Sequence, residues 1–288
     1  MNNNLIYYLG FSHFTGIGPM RFRALIEYFG SPSKAYWGIK DRLEYVIGKD
    51  LTTAFTAFRS GFDPVKRLEE LRNSNIEVVC QESDKYPEDL KNISDPPICI
   101  YIKGVLGKYR FFSVVGTRLP TSYGQKVTYE LTYGLAKKGF TIVSGMAQGI
   151  DGIAHWAAID AKGRTVAVLG CVDFVYPSIH INLYNTIIRS GGAVVSEFPP
   201  GSSVVKGMFI SRNRIISGLS RGVLVVEGGG HSGTLITARY AANQGKDIFA
   251  VPGQIINDLS SAPNILLKQG AKMVTELRDI LEEYGIKP

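Results

Sequence analysis

From residue 110 onward the chain repeats one pattern. A short, unbroken apolar run is followed by a turn of small or polar residues, then by a stretch with apolar positions at helical spacing. The apolar runs are Phe111–Gly116, Thr141–Gly145, Thr165–Gly170, Ala193–Glu197, Gly222–Glu227, Asp247–Val251 and Lys272–Val274. They are rich in Val, Ile and Ala and do not alternate with polar residues, as expected of strands covered on both faces. The helical stretches between them are Ser122–Lys138, Gly149–Ala161, Asn182–Arg189, Asn213–Leu219, Thr234–Asn243 and Glu276–Tyr284. This alternation predicts a doubly wound, mostly parallel α/β sheet with right-handed crossovers. Ligands on such sheets sit beyond the carboxyl ends of the strands, so the chemistry is expected in the loops that follow them.

The first 75 residues have a different texture, with short helical stretches and tight turns. They read as a small all-helical domain (1–75) ahead of an α/β domain (76–288). Two further strand candidates, Ile76–Cys80 and Ile98–Lys103, flank a Pro-containing loop.

Composition narrows the partners. Hydrophobic residues make up 45% of the 288, enough for a sizeable core. The formal net charge of +7 favours anionic partners without proving one. Cys80, Cys99 and Cys171 are widely spaced, with no zinc-type pairing, which suits a reducing compartment. The N-terminus lacks the basic residues of a signal peptide, and no apolar run is long enough to span a bilayer. The expected location is cytoplasmic, with no metal and no cofactor.

Four loops carry the candidate chemistry. Gly116-Thr117-Arg118 places a cation at a strand tip, next to a helix that Thr121 or Ser122 can cap. Ser144-Gly145 opens a second turn, in which Asp151 and His155 share one helix face. Without a third ligand, Asp151 reads as a loop-orienting or capping residue. Glu227-Gly228-Gly229-Gly230-His231-Ser232-Gly233-Thr234 has the make-up of an anion nest before a helix, built on Ser232, Gly233 and Thr234. Phe209-Ile210-Ser211-Arg212-Asn213-Arg214, preceded by Lys206, puts two guanidinium groups and an amide within three positions. Guanidinium forks match phosphate oxygens in pairs. No Walker lysine and no nucleophile–base pair lies among these residues, so the set binds phosphate without an evident means of reacting with it. Tyr176, Phe198 and Phe209 are candidate surfaces for stacking bases, or ordinary packing residues. Replacing Arg212 and Arg214 together is expected to weaken binding and leave stability nearly unchanged.

The ordered motifs VGTRLPTSYG (115–124), SGMAQGIDGIAH (144–155), VLGCVDFVYP (168–177), SEFPPG (196–201), RNRIISGLS (212–220), VVEGGGHSGTLIT (225–237) and AVPGQ (250–254) resemble the bacterial DNA-processing protein A (DprA/Smf) family. The resemblance covers about residues 85 to 275, and Phe14-Thr15-Gly16-Ile17-Gly18-Pro19 resembles the family's small helical domain. It implies an extended Rossmann-like core that binds single-stranded DNA. It also implies a role in natural transformation, loading the RecA recombinase onto strands coated by single-strand-binding protein, and a homodimer formed near Asn264–Gly270. By the same resemblance Gly116, Thr117, Arg118, Ser144, Gly145, Arg212, Asn213 and Arg214 line the DNA pocket. The sequence departs from the family where Ser178-Ile179 follows Tyr176-Pro177 in place of a lysine, and Lys206 is the substitute considered. With the sequence ending at Pro288, the winged helix that many members carry is not expected. The rival readings are a module that binds a small nucleotide in the same pocket and a nucleoside-monophosphate phosphoribohydrolase resembling the LOG proteins, though Thr237 stands where the LOG motif needs its catalytic glutamate.

Overall fold

A computed structural model describes residues 4–287. Its sheet contains β1 (Glu77–Cys80), β2 (Cys99–Gly104), β3 (Arg110–Val115), β4 (Phe140–Ser144), β5 (Thr165–Val168), β6 (Ala193–Ser196), β7 (Gly222–Val225), β8 (Asp247–Ala250) and β9 (Lys272–Met273). Among the described residues they form one sheet in the order β1-β2-β6-β5-β4-β3-β7-β8-β9. From β6 to β9 every pairing is parallel; β1 and β2 run antiparallel at one edge.

The order contains a switch point. The chain starts the parallel part at β3, builds β4, β5 and β6 outward on one side, and then returns to place β7 on the other. Ser113 of β3 therefore pairs with Val143 on one flank and Val223 on the other. The loops leaving β3 and β7 diverge toward opposite faces of the sheet and leave a crevice between them.

The unbroken apolar runs are explained by cover on both faces. Phe112, Val114, Ile142 and Leu224 pack under the helices Ser122–Lys137, Ile150–Asp160 and Leu277–Leu281. Their neighbours Phe111, Val115, Val143 and Val223 pack on the other side, with Ile215, Ile216, Ala238 and Ala241 of the helices Asn213–Leu219 and Gly233–Asn243. The N-terminal helices share a hydrophobic cluster with the sheet: Leu9, Phe11, Phe22 and Phe55 join Tyr101, Ala167 and Val194. The Tyr101 hydroxyl reaches into the helical region, 2.6 Å from Ser12 Oγ. The helices Lys206–Ser211 and Ser261–Lys268 are additions to the sequence reading. The first is only 6 residues long, too short for periodicity to signal it.

Two histidines are held neutral. Burial pushes His155 down to about 3 and His13 down to about 4. His13 Nε2 accepts from Arg67 Nε at 3.1 Å, and its other nitrogen faces the Leu9 carbonyl. In the unfolded chain both histidines take up a proton near pH 6.5. As pH falls below 6.5 the unfolded state binds more protons, so their stabilising contribution is full above that value and is lost toward pH 4. Urea unfolding between pH 7 and 4.5 checks this. His13→Gln keeps an acceptor for Arg67 and should flatten the pH slope by about 1.4 kcal/mol per unit. Equal slopes for the two proteins would contradict it.

Candidate nucleic-acid interface

The loop after β3 is fixed from behind by the end of β7. Thr117 donates its amide to the Glu227 carbonyl at 2.7 Å and accepts from the Ile150 amide at 3.1 Å. The buried Glu227 carboxylate takes the Thr121 amide at 2.9 Å and the Thr121 hydroxyl at 2.5 Å. Thr121 in turn caps the helix Ser122–Lys137 through the Gly124 amide. Gly149, at φ +81°, lets the next loop close on this one, since a Cβ there would lie 2.4 Å from the Thr117 carbonyl oxygen. With both ends tied, Arg118 stands exposed at the tip and makes no ion pair with any described residue.

The opposite wall is the helix Lys206–Ser211 and the start of the helix Asn213–Leu219. Arg212 joins them and is only 6% exposed. Its Nη1 donates to the Val168 carbonyl at 2.9 Å and to the Gly145 carbonyl, so one guanidinium binds the tips of β4 and β5. Gly145 leaves the space it needs, because a Cβ at that position would lie 2.7 Å from Nη2. Asp151 lies beside it and takes the amides of Gly145 and Ala147 at 3.2 and 3.3 Å, in the loop-orienting role expected of it. Burial pushes the Arg212 pKa down to about 10, against the pull of Asp151, and the group stays charged at neutral pH. Phe209 covers it, with the guanidinium carbon 5.5 Å from the ring centre, and packs edge-on against Tyr176.

The third wall is the glycine loop. It ends at Ser232, the residue before the helix Gly233–Asn243. First-turn amides of a helix have no partner within it and carry the positive end of the dipole. The Ser232 hydroxyl makes no hydrogen bond among the described residues.

These walls enclose a cleft of about 710 Å³. Gly116, Thr117, Arg118, Lys206, Phe209, Arg212, Asn213, Ser232, Gly233 and Thr234 line it, ten of the thirteen residues singled out from the sequence. Tyr176 lines it too and is 54% exposed.

Ser144, Gly145 and Arg214 do not line the cleft. Ser144 is buried on β4, where its hydroxyl donates to the Val114 carbonyl at 2.7 Å. Gly145 lies beneath, making room for Arg212. Arg214 points away into a buried ion pair, with Nη2 at 2.5 and 2.6 Å from the two Glu197 oxygens and Nε at 3.2 Å from Asp95. Phe198 does not line the cleft either, whereas Phe174, exposed and passed over in the sequence, does. Phe174 could have been found two residues before Tyr176, in the same strand-tip loop. Glu227 is turned to Thr121, so it does not replace the carboxylate that the phosphoribohydrolase reading lacks.

The family model described as DNA recombination-mediator protein A matches residues 77–285. The chain belongs to that family. It is 44% identical to the DNA processing protein DprA of Bacillus subtilis over 216 residues, which are 74% of this chain and 72% of that one. It is 35% identical to Protein Smf of Synechocystis over 100% of this chain and 74% of that protein. The crystal structure of DNA processing protein A from Streptococcus pneumoniae superposes with a TM-score of 0.84 at 34% identity, covering 98% of both chains. The Helicobacter pylori protein, whose structure is described for its single-stranded-DNA binding mode, matches with a TM-score of 0.63 at 29% identity, over 73% of this chain and 95% of that one. The membership supports a DNA-binding recombination mediator on a Rossmann-like sheet. Among the described residues no helix is long and apolar enough to cross a membrane.

The buried arginines revise one expectation. Breaking a buried ion pair by removing one partner leaves an uncompensated charge and costs about 3–5 kcal/mol. Arg214→Ala should therefore lower stability by roughly that amount in urea unfolding. A loss below about 1 kcal/mol, the range of an exposed pair, would contradict the assignment.

Proposed function

We propose that the protein binds single-stranded DNA in this cleft and hands it to the recombination machinery without altering a bond. One observation carries the reading. The exposed guanidinium of Arg118 and the Gly233 and Thr234 amides, which donate to no described residue, share a cleft with the exposed rings of Phe174 and Tyr176. Cations and amides take phosphate, while rings take the faces of unpaired bases, which a duplex keeps stacked. Backbone contact and stacking give affinity without sequence preference. Lys206, exposed at the entrance, supplies the cation missing after Tyr176-Pro177. The deeper Arg212 adds positive field and fixes the floor.

The proposed sequence of events is capture of an incoming strand in the cytoplasm, during natural transformation, followed by loading of the RecA recombinase onto DNA coated by single-strand-binding protein. The protein would act as a homodimer through the helix Ser261–Lys268. Ile255, Ile256, Ile265 and Met273 expose apolar surface near it. Two clefts on one dimer would hold one strand with higher avidity.

Anisotropy of labelled oligothymidylate at two salt concentrations tests the binding step, with duplex of the same length as the control. Arg118→Ala should weaken binding by about ten- to a hundredfold, the value of a charge-assisted contact. It should also reduce the salt slope by about one and leave the thermal melt unchanged. Unaltered affinity and slope would remove Arg118 from the interface.

A further inference from the structure

The N-terminal helices carry a second surface with the same two chemistries. The helices Pro19–Phe29, Pro32–Tyr36 and Lys40–Ile47 surround a shallow depression lined by Tyr28, Phe29, Trp37, Ile39, Lys34 and Arg42. None of these residues lines the cleft at the sheet. Trp37 is 62% exposed, and Tyr45, next to Tyr28, is 80% exposed. The two tyrosine rings lie 5.5 Å apart, and Tyr28 meets Phe29 edge-on at 5.0 Å. Large aromatic groups exposed together are uncommon on a surface without a partner.

The rings are held in place. Arg59 donates to the carbonyls of Tyr36 and Gly38 at 2.5 and 3.1 Å and lies 5.7 Å from the centre of the Trp37 ring. The turn carrying Trp37 is thereby fixed with the indole facing outward. The cations at the rim are free to bind. Lys34 and Arg42 are exposed and ion-paired to no described residue, and no acidic residue lines the depression. A row of open rings edged by unpaired cations is complementary to a polyanion whose bases are free to stack.

We infer that this depression is a second binding site for single-stranded nucleic acid, separate from the cleft, in which bases stack on Trp37 and Tyr28 while Lys34 and Arg42 take phosphates. The inference rests on the reading that single-stranded DNA is the ligand of this protein, but not on where the cleft holds it. The two sites would gather successive segments of one strand.

The chain has two tryptophans, so Trp156→Phe leaves Trp37 as the sole reporter. Titrating that protein with oligothymidylate should quench Trp37 fluorescence. Quenching should persist when Arg118→Ala is added, although affinity measured by anisotropy falls. Lys34→Ala with Arg42→Ala should shift the Trp37 titration about tenfold while an oligonucleotide of a few residues still binds the cleft. Three results would overturn the inference: no quenching at concentrations that saturate anisotropy, quenching abolished by Arg118→Ala, or equal quenching by polyglutamate, which would mark a surface for acidic peptide. Failure of the cleft reading has a different signature: oligonucleotide affinity that Arg118→Ala leaves untouched.

Discussion

The cleft depends on one buried charge. Arg212 lies beneath the floor, where its guanidinium binds the carbonyls ending β4 and β5 and faces Asp151. Placing a cation there is costly unless most of its donors are met. The chain meets Nη1 with carbonyls freed at two strand ends, leaves Nε without a hydrogen-bond partner among the described residues, and sets nearby, as a counter-charge, the Asp151 carboxylate that also organises the Gly145 and Ala147 amides. Strand tips, loop and helix start are thereby locked in one arrangement, and the exposed groups above inherit a fixed spacing. A site with its supports fixed in this way loses little entropy when a ligand arrives.

The positive groups thus fall into two kinds. Arg212 and Arg214 are buried, bonded and structural, although Arg212 also shows an edge to the cleft. Arg118 and Lys206 are exposed and carry charge that a ligand can reach. Net charge alone does not separate these kinds; burial and partners do. The acidic residues of the region divide in the same way. Glu227 holds the loop bearing Arg118, Asp151 holds the loop after β4, and Glu197 holds Arg214. Each of the three carboxylates is taken up by a contact that holds the site in shape.

Much of this was legible in the sequence. Uninterrupted Val/Ile runs gave the parallel strands, because burial on both faces removes alternation. Small residues after those runs marked the loops that do form the cleft. The arginine triplet was misread in part. Arg212 and Arg214 are two apart at the start of a helix, where side chains so spaced point to opposite sides, so both could not face one phosphate. Their partners, Val168, Gly145, Asp95 and Glu197, lie 17 to 119 positions away in the chain and become visible only once the strands are ordered. Phe198 and Phe174 were exchanged for a related reason: both follow strands, and only the three-dimensional path of each loop decides which ring reaches the crevice.

In the proposed complex, phosphates of a single strand lie between Arg118 and the start of the helix Gly233–Asn243, above an unmoved Arg212. A crystal structure with bound oligothymidylate tests it most directly. Phosphate oxygens are expected within hydrogen-bond reach of the Arg118 guanidinium and the Gly233 and Thr234 amides, with Arg212 still bonded to Gly145 and Val168. A strand bound elsewhere with this cleft empty, or Arg212 drawn out of its carbonyl seat to meet the DNA, would contradict it.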